Sequence, residues 1–173
     1  THQLSCHDIP RFFEYILKRI VLERDVHFHT NTSIDTLDYS GTSLNRGSKV
    51  VFAVHGTVIR DLSDEIPAGL QRLSIIRKAT MPLPGIVCIQ MSKFFSYEEA
   101  AKEIRQLNDI LKPFSEELNE LPILVICDDP DFMVKKTDNF LWATFTRCNP
   151  SHDIYGINDF CEYKHWGCSG PLI

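Results

Sequence analysis

Two short apolar runs separated by one capped amphipathic helix constrain the fold of this chain more than any other feature. Residues 85–91 (GIVCIQM) and 123–127 (ILVIC) are β-branched or apolar nearly throughout, the mark of strands covered on both faces. Between them Ser96 and Glu99 read as a capping box. Tyr97, Ala100, Ala101, Ile104, Leu107 and Leu111 form one helical stripe, and Pro113 marks its end. Strand, helix and strand in this order predict a right-handed crossover joining two parallel neighbours.

A third run, residues 49–56 (KVVFAVHG), has the same character and predicts another doubly covered strand. Upstream, Asp8 before Ile9 and Pro10 is a helix start, with the carboxylate as N-cap and the proline in the first turn. The helix is expected over about 10–24, with Phe12, Phe13, Ile16, Leu17, Ile20 and Val21 as its apolar stripe. Residues 26–29 alternate like a short strand, and 30–48, rich in Thr, Ser, Asn, Asp and Gly, read as a linker. Residues 152–157 read as a fourth strand after an aromatic-rich helix that ends at Arg147. The expected fold class is α/β, a three-layer α/β/α sandwich. Residues 1–48 form an amino-terminal helix and linker in this scheme, and 49–173 form the α/β domain.

Composition narrows the function classes. At 173 residues and 43% hydrophobic the chain can bury one substantial core. A formal net charge of -5 leaves no general basic field, which disfavours nucleic acid and anionic membrane as partners. No run approaches the length of a transmembrane helix, and no amino-terminal export address is visible. Of the six cysteines, three fall in predicted strands or helices among apolar neighbours, as small core residues do. A disulfide between Cys161 and Cys168 is disfavoured, and a reducing cytoplasm is the expected compartment.

Residues 122–153 carry a more specific signal. The buried strand at 123–127 runs into the acidic turn Asp128-Asp129-Pro130-Asp131, at the carboxyl edge where open α/β sheets present functional groups. The pattern D-D-P-D followed by L-W-A-x-x-T-R-C-N-P-x-x-D resembles the carboxy-terminal signature of UbiD-type decarboxylases. The family's usual form is D-D-D/I-D, then V-L-W-A-x-x-T-R, then P-x-x-D. The matching residues are Asp128, Asp129, Asp131, Leu141, Trp142, Ala143, Thr146, Arg147, Pro150 and Asp153. Pro130 departs from the common third residue. This likeness extends from about residue 49 to the end, and residues 1–48 have no placement on the family's pattern.

The resemblance implies a prenylated-FMN-dependent, reversible decarboxylase of aromatic or α,β-unsaturated carboxylic acids, with Mn²⁺ or Mg²⁺ and K⁺, acting in ubiquinone or menaquinone biosynthesis. This chain would be its carboxy-terminal scaffold and oligomerisation domain, a dimer or higher assembly partnered by an upstream catalytic domain of the same polypeptide. The family's catalytic glutamate-arginine-glutamate set and its metal- and phosphate-binding asparagine, histidine and glutamate have no counterpart here. No catalytic or metal-ligating residue is therefore expected in this piece, which would neither bind flavin tightly nor decarboxylate alone. Its first residue, Thr1, and its last four, Gly170-Pro171-Leu172-Ile173, where a strand could begin, read as the ends of an excised domain.

Several side chains are candidates for chemistry. Asp128, Asp129 and Asp131 have two readings: a Mg²⁺ or acid–base pair, or helix caps and partners for Arg147, with capping the commoner use. Arg147 and Asp153 read as structural ties, and Trp142 and Phe145 as core by helical spacing. His27 and His29 share a strand face, and with His2, Cys6 and His7 they offer a weak metal signal. Lys93, ahead of the capped helix, is a candidate anion contact, and the resemblance implies that the anion would be the flavin phosphate. Phe160, Tyr163, His165 and Trp166, in a glycine-flanked loop over 158–170, are the candidate lining of a substrate channel. Two rivals stand beside the decarboxylase reading. One is a receiver-like Mg²⁺-binding signalling domain, and the other a non-catalytic interaction module docking through Phe12, Phe13 and Ile16.

Overall fold

The structure, a computed structural model, describes residues 4–33, 43 and 46–173. Part of the expected linker, and His2, lie outside the described residues. The crossover drawn from the two apolar runs is present. β4 (Ile86–Gln90) and β5 (Ile123–Ile126) pair in parallel, from Ile86 opposite Ile123 to Ile89 opposite Ile126. They are joined through α3 (Tyr97–Leu111), where the Ser96 hydroxyl accepts the Glu99 N–H at 3.3 Å. Glu98 and Glu99 in the first turn add favourable charge at the positive end of the helix dipole.

A strand absent from the sequence reading completes this sheet. β3 (Lys78–Leu83) pairs antiparallel with β4 in the order β3-β4-β5. Its residues KATMPL have no period-two apolar pattern and include Pro82, which an edge strand tolerates and a central one does not. Gly85, with φ of 81°, makes the turn, and a Cβ there would lie 2.8 Å from the Leu62 side chain.

β4 is buried on both sides, as its composition demands. Val87 and Ile89 join Leu124, Leu107 and Leu111 in one core, while Ile86 and Cys88 join Leu17, Met133 and Phe140 in another. Alternation along one strand thus feeds two clusters, with α3 supplying the first. α1 (Ile9–Leu17), α4 (Pro130–Lys135) and α5 (Thr137–Arg147) supply the second.

The run at 49–56 does not enter that sheet. It contributes β2 (Gly47–Phe52), which pairs antiparallel with β1 (Val26–Thr32), with Val26 opposite Phe52 and His29 opposite Lys49. Val50 and Phe52 pack onto a third core with Ile20, Leu22 and Val26, whereas Val51 is 46% exposed, so the strand is covered on one face. Among the described residues the fold is mixed α/β, built of three small sheets.

Four other expectations change. α1 stops at Leu17 rather than near Arg24, because distant groups take over its end. Arg60 donates from Nη1 to the carbonyls of Leu17 (2.9 Å) and Ile20 (2.8 Å), and the Asp25 carboxylate accepts the Val21 N–H (2.9 Å). The aromatic-rich helix is two helices, broken at Lys136, whose backbone is extended. Residues 152–157 are not a strand. Pro150–Asp153 form the short α6, and the Asp153 carboxylate closes it by accepting the Asn149 N–H at 2.6 Å. The expected loop at 158–170 is instead a hairpin of β6 (Asp159–Glu162) and β7 (His165–Cys168). Tyr163 (φ 50°) and Lys164 (φ 67°) make its turn, with no glycine to announce it. Beyond it, Leu172 lies between Ile123 and Gly156 through isolated bridges, so the apolar run at the end adopts extended pairing.

Candidate functional site

The acidic turn after β5 is bound into the sheet rather than left open. Asp129 caps α4, its carboxylate accepting the Phe132 N–H at 3.0 Å. Asp131 pairs with Lys78 of β3, Thr80 Oγ1 donates to the Pro130 carbonyl at 3.0 Å, and Gln90 Nε2 donates to the Asp128 carbonyl at 2.6 Å. Two of the three carboxylates are thus engaged in a cap and an ion pair, each a structural use of aspartate. Among the described residues, no three His, Cys, Asp or Glu side chains converge to hold a metal ion.

Farther along the motif, the Arg147 guanidinium lies over the Trp142 ring, 4.7 Å from its centroid, in a cation–π contact. Trp142 and Phe145 are 46% and 57% exposed, which corrects their assignment to the core. The buried aromatic of α5 is Phe140, edge-on to Phe13 at 5.8 Å and to Phe145 at 6.4 Å. Burial raises the Asp153 carboxyl above its usual range, and the Asn149 N–H opposes this only in part.

The four candidate channel residues all fall on the β6–β7 hairpin. Its register places Phe160 opposite Gly167, Cys161 opposite Trp166 and Glu162 opposite His165. Phe160 and His165 therefore share one face, Trp166 lies on the other, and Tyr163 stands at the fully exposed tip. Trp166 packs edge-on to Phe28 of β1 at 5.2 Å, and its indole N–H donates to Asp159 at 3.4 Å. His165 Nε2 lies 2.9 Å from the Glu23 carbonyl. Close approach here requires Gly167, where a Cβ would sit 2.6 Å from the same carbonyl oxygen.

Lys93 is exposed on the connection between β4 and α3, beside Phe94, Phe95 and Tyr97, which are also exposed. Cys88 on β4 and Cys127, just past the end of β5, influence one another: the Cys127 thiol and burial raise Cys88, whereas the Cys88 thiol lowers Cys127. Burial, with Glu23 and Asp159 nearby, pushes the Cys168 thiol up to about 12, and its S–H donates to the Gly170 carbonyl. Cys161 and Cys168 are separate free thiols.

One feature of the structure was invisible in the sequence. A cleft of about 170 Å³ opens beside Arg60 and is lined by Leu22, Glu23, Asn119, Ser169 and Pro171 among others. Burial lowers the Arg60 pKa, and its donors go to the two carbonyls at the end of α1 and to Asn119. Arg60 stands in a polar stretch with no local pattern, so only the tertiary fold reveals this use.

The scaffold is mixed α/β, with Asp129 capping α4 beyond the carboxyl end of β5, and comparison with known proteins shows what the chain is similar to. Residues 2–54 match the family described as 3-octaprenyl-4-hydroxybenzoate carboxy-lyase C-terminal domain. A Chlamydia pneumoniae protein named as a subunit of 4-hydroxybenzoate decarboxylase is 32% identical over 145 residues, covering 84% of this chain and 23% of that protein. An uncharacterized protein of Chlamydia caviae is 32% identical over 154 residues, covering 89% of the chain and 24% of the relative. The chain thus spans about a quarter of the length of the curated relatives it matches. No solved structure matches. The UbiD-type likeness is supported at the level of the family, and the family match lies over residues 2–54, a segment that the motif comparison left almost wholly unplaced, rather than over the residues 128–153 that carried it.

Proposed function

We propose that this chain is the carboxy-terminal scaffold and oligomerisation part of a prenylated-FMN-dependent, reversible decarboxylase of aromatic or α,β-unsaturated carboxylic acids. The observation that carries this reading is the carboxy-lyase match over residues 2–54, supported by a relative named as part of a 4-hydroxybenzoate decarboxylase. The flavin would supply the electron sink for loss of CO₂, and the protein would orient the acid against it. The described residues do not fit the cofactor. They bring no three His, Cys, Asp or Glu side chains together as a metal-and-phosphate site would need, and Lys93 is exposed to solvent. No chemical step is therefore routed through this chain, and the flavin, Mn²⁺ or Mg²⁺ and K⁺ are assigned to the remainder of a longer polypeptide.

In this proposal the central sheet is the middle layer of a three-layer α/β/α body. The β6–β7 hairpin closes one wall of the substrate channel with Phe160 and His165, and Tyr163 reaches beyond it. The assembly is a dimer or higher oligomer working in a reducing cytoplasm, with an aromatic acid of quinone biosynthesis as substrate. No helix among the described residues is long and apolar enough to cross a membrane.

The test uses the longer protein that carries this chain, loaded with prenylated FMN and Mn²⁺, beside the chain alone. The whole protein should exchange labelled bicarbonate into 4-hydroxybenzoate or a related acid, and the chain alone should not. Turnover by the chain alone, or no exchange by the loaded whole protein across a panel of aromatic and unsaturated acids, overturns the reading.

A further inference from the structure

His27 on β1 and His165 on β7 are separated by 138 positions in sequence, yet their ring centroids lie 5.5 Å apart with the planes inclined at 55°. Two imidazoles on one tetrahedral ion, each with its nitrogen about 2.0–2.1 Å from the metal, place their ring centres roughly 5 Å apart. The two rings already have that spacing. We infer that His27 and His165 form a two-imidazole site for a borderline divalent transition ion of the Zn²⁺ class, which clasps the carboxy-terminal hairpin to the amino-terminal one.

Three further observations support the assignment. First, the partner of His165 Nε2, at 2.9 Å, is the Glu23 carbonyl, which can only accept. The hydrogen therefore sits on Nε2, and in the neutral ring Nδ1 keeps its lone pair. A ring N–H donated to a backbone carbonyl is the usual outer support of a metal-ligating histidine, fixing both tautomer and orientation.

Second, the charges beside His27 are balanced and do not repel a cation. The Asp25 carboxylate interacts electrostatically with His27, two residues away on the approach to β1. The Arg24 guanidinium is held by Asp25 in an ion pair at 2.7 Å. Across the ladder from His27 stands uncharged Val51.

Third, the neighbouring histidine is excluded by its own surroundings. His29 shares the face of His27 on β1, but it is paired with Lys49, whose charge opposes a bound cation. With no third protein ligand converging among the described residues, water completes the coordination. His27 is exposed, so an ion has a direct path to the site. Because the site joins segments distant in sequence, an ion bound to the folded chain and not to the unfolded one raises stability in proportion to its occupancy.

The test is a titration of the full chain with Zn²⁺ and Co²⁺, with His27→Gln as the primary variant. His165→Gln is the second, since it also loses the tie to Glu23. His29→Gln is the control. One ion should bind per chain, the Co²⁺ spectrum should lack a thiolate charge-transfer band, and Zn²⁺ should raise the unfolding midpoint. His27→Gln should fold as the parent does and bind about tenfold or more weakly, with the midpoint no longer responsive to Zn²⁺, while His29→Gln retains both effects. Unchanged affinity in folded His27→Gln overturns the site. So does a thiolate band that persists in that variant, or a loss of binding seen only in His29→Gln.

Discussion

Ser48 on β2 donates its hydroxyl hydrogen to Oδ1 of Asn149 at 2.5 Å and accepts the N–H of Ser151 at 2.8 Å, tying the first hairpin to the short helix after the Trp142–Arg147 motif. Ser48 is buried, so truncation leaves polar groups without their partner. Ser48→Ala should cost about 1–3 kcal/mol, seen as a lower denaturant midpoint with an unchanged slope. Asn149→Ala in the same background should add less than it does alone, because the two side chains share one network. Full additivity would show that the contact contributes little.

Asp25 should give the chain an acid-side instability. Burial raises its carboxyl, but hydrogen bonds from Arg24 and the Val21 N–H, with the charges of Arg24 and His27, outweigh that and hold it below its usual range. A carboxyl depressed in the folded state adds stability that is complete above the unfolded pKa, about 3.9, and is lost as pH falls through the folded value. Asp25→Asn should be less stable than the parent at neutral pH, and its stability should fall less steeply below about pH 4. Parallel curves for the two proteins would remove Asp25 from the acid response.

Phe140 is the aromatic hub of the core beneath α1 and α5, touching Phe13 and Phe145. Phe140→Ala should cost about 3–5 kcal/mol through lost transfer energy and the cavity left behind. Trp142→Ala, at a half-exposed position, should cost far less in the same thermal or denaturant melt.

The hairpin turn is strained where the sequence could relax it. Tyr163 and Lys164 both have left-handed backbone angles, and neither has the short side chain that favours them. Lys164→Gly should therefore stabilise the hairpin by a few tenths to about 1 kcal/mol, read as slower amide exchange across β6 and β7. Faster exchange would mean that the Lys164 side chain holds the turn by contacts of its own.

The parts of the fold legible in the sequence are those whose causes are local. The capping box at Ser96, the Asp8 cap and the doubly covered run of β4 follow from a few adjacent residues, and the parallel β4–β5 pair follows from their order. Where distant groups decide, sequence periodicity misleads. Six apolar residues predict a helix to about Arg24, but Arg60 and Asp25 claim its end. β3 shows no alternation because it is an edge strand, and the tail hairpin turns on residues that do not normally signal a turn. Asp129 was legible as a cap, while the pairing of Asp131 with Lys78 depends on that unseen edge strand. The proximity of His27 and His165 is a purely tertiary fact.

The burial of β4 on both sides has a consequence for how this chain can change over generations. A bulkier side chain at Val87 or Ile89 cannot be accommodated by sliding the strand away from α3, because Ile86 and Cys88 already press on the opposite layer. Viable variation at these four positions must therefore arrive as paired exchanges reaching across the sheet. Drift along this strand should be slow and correlated, while the single-faced hairpin of β1 and β2 diverges residue by residue.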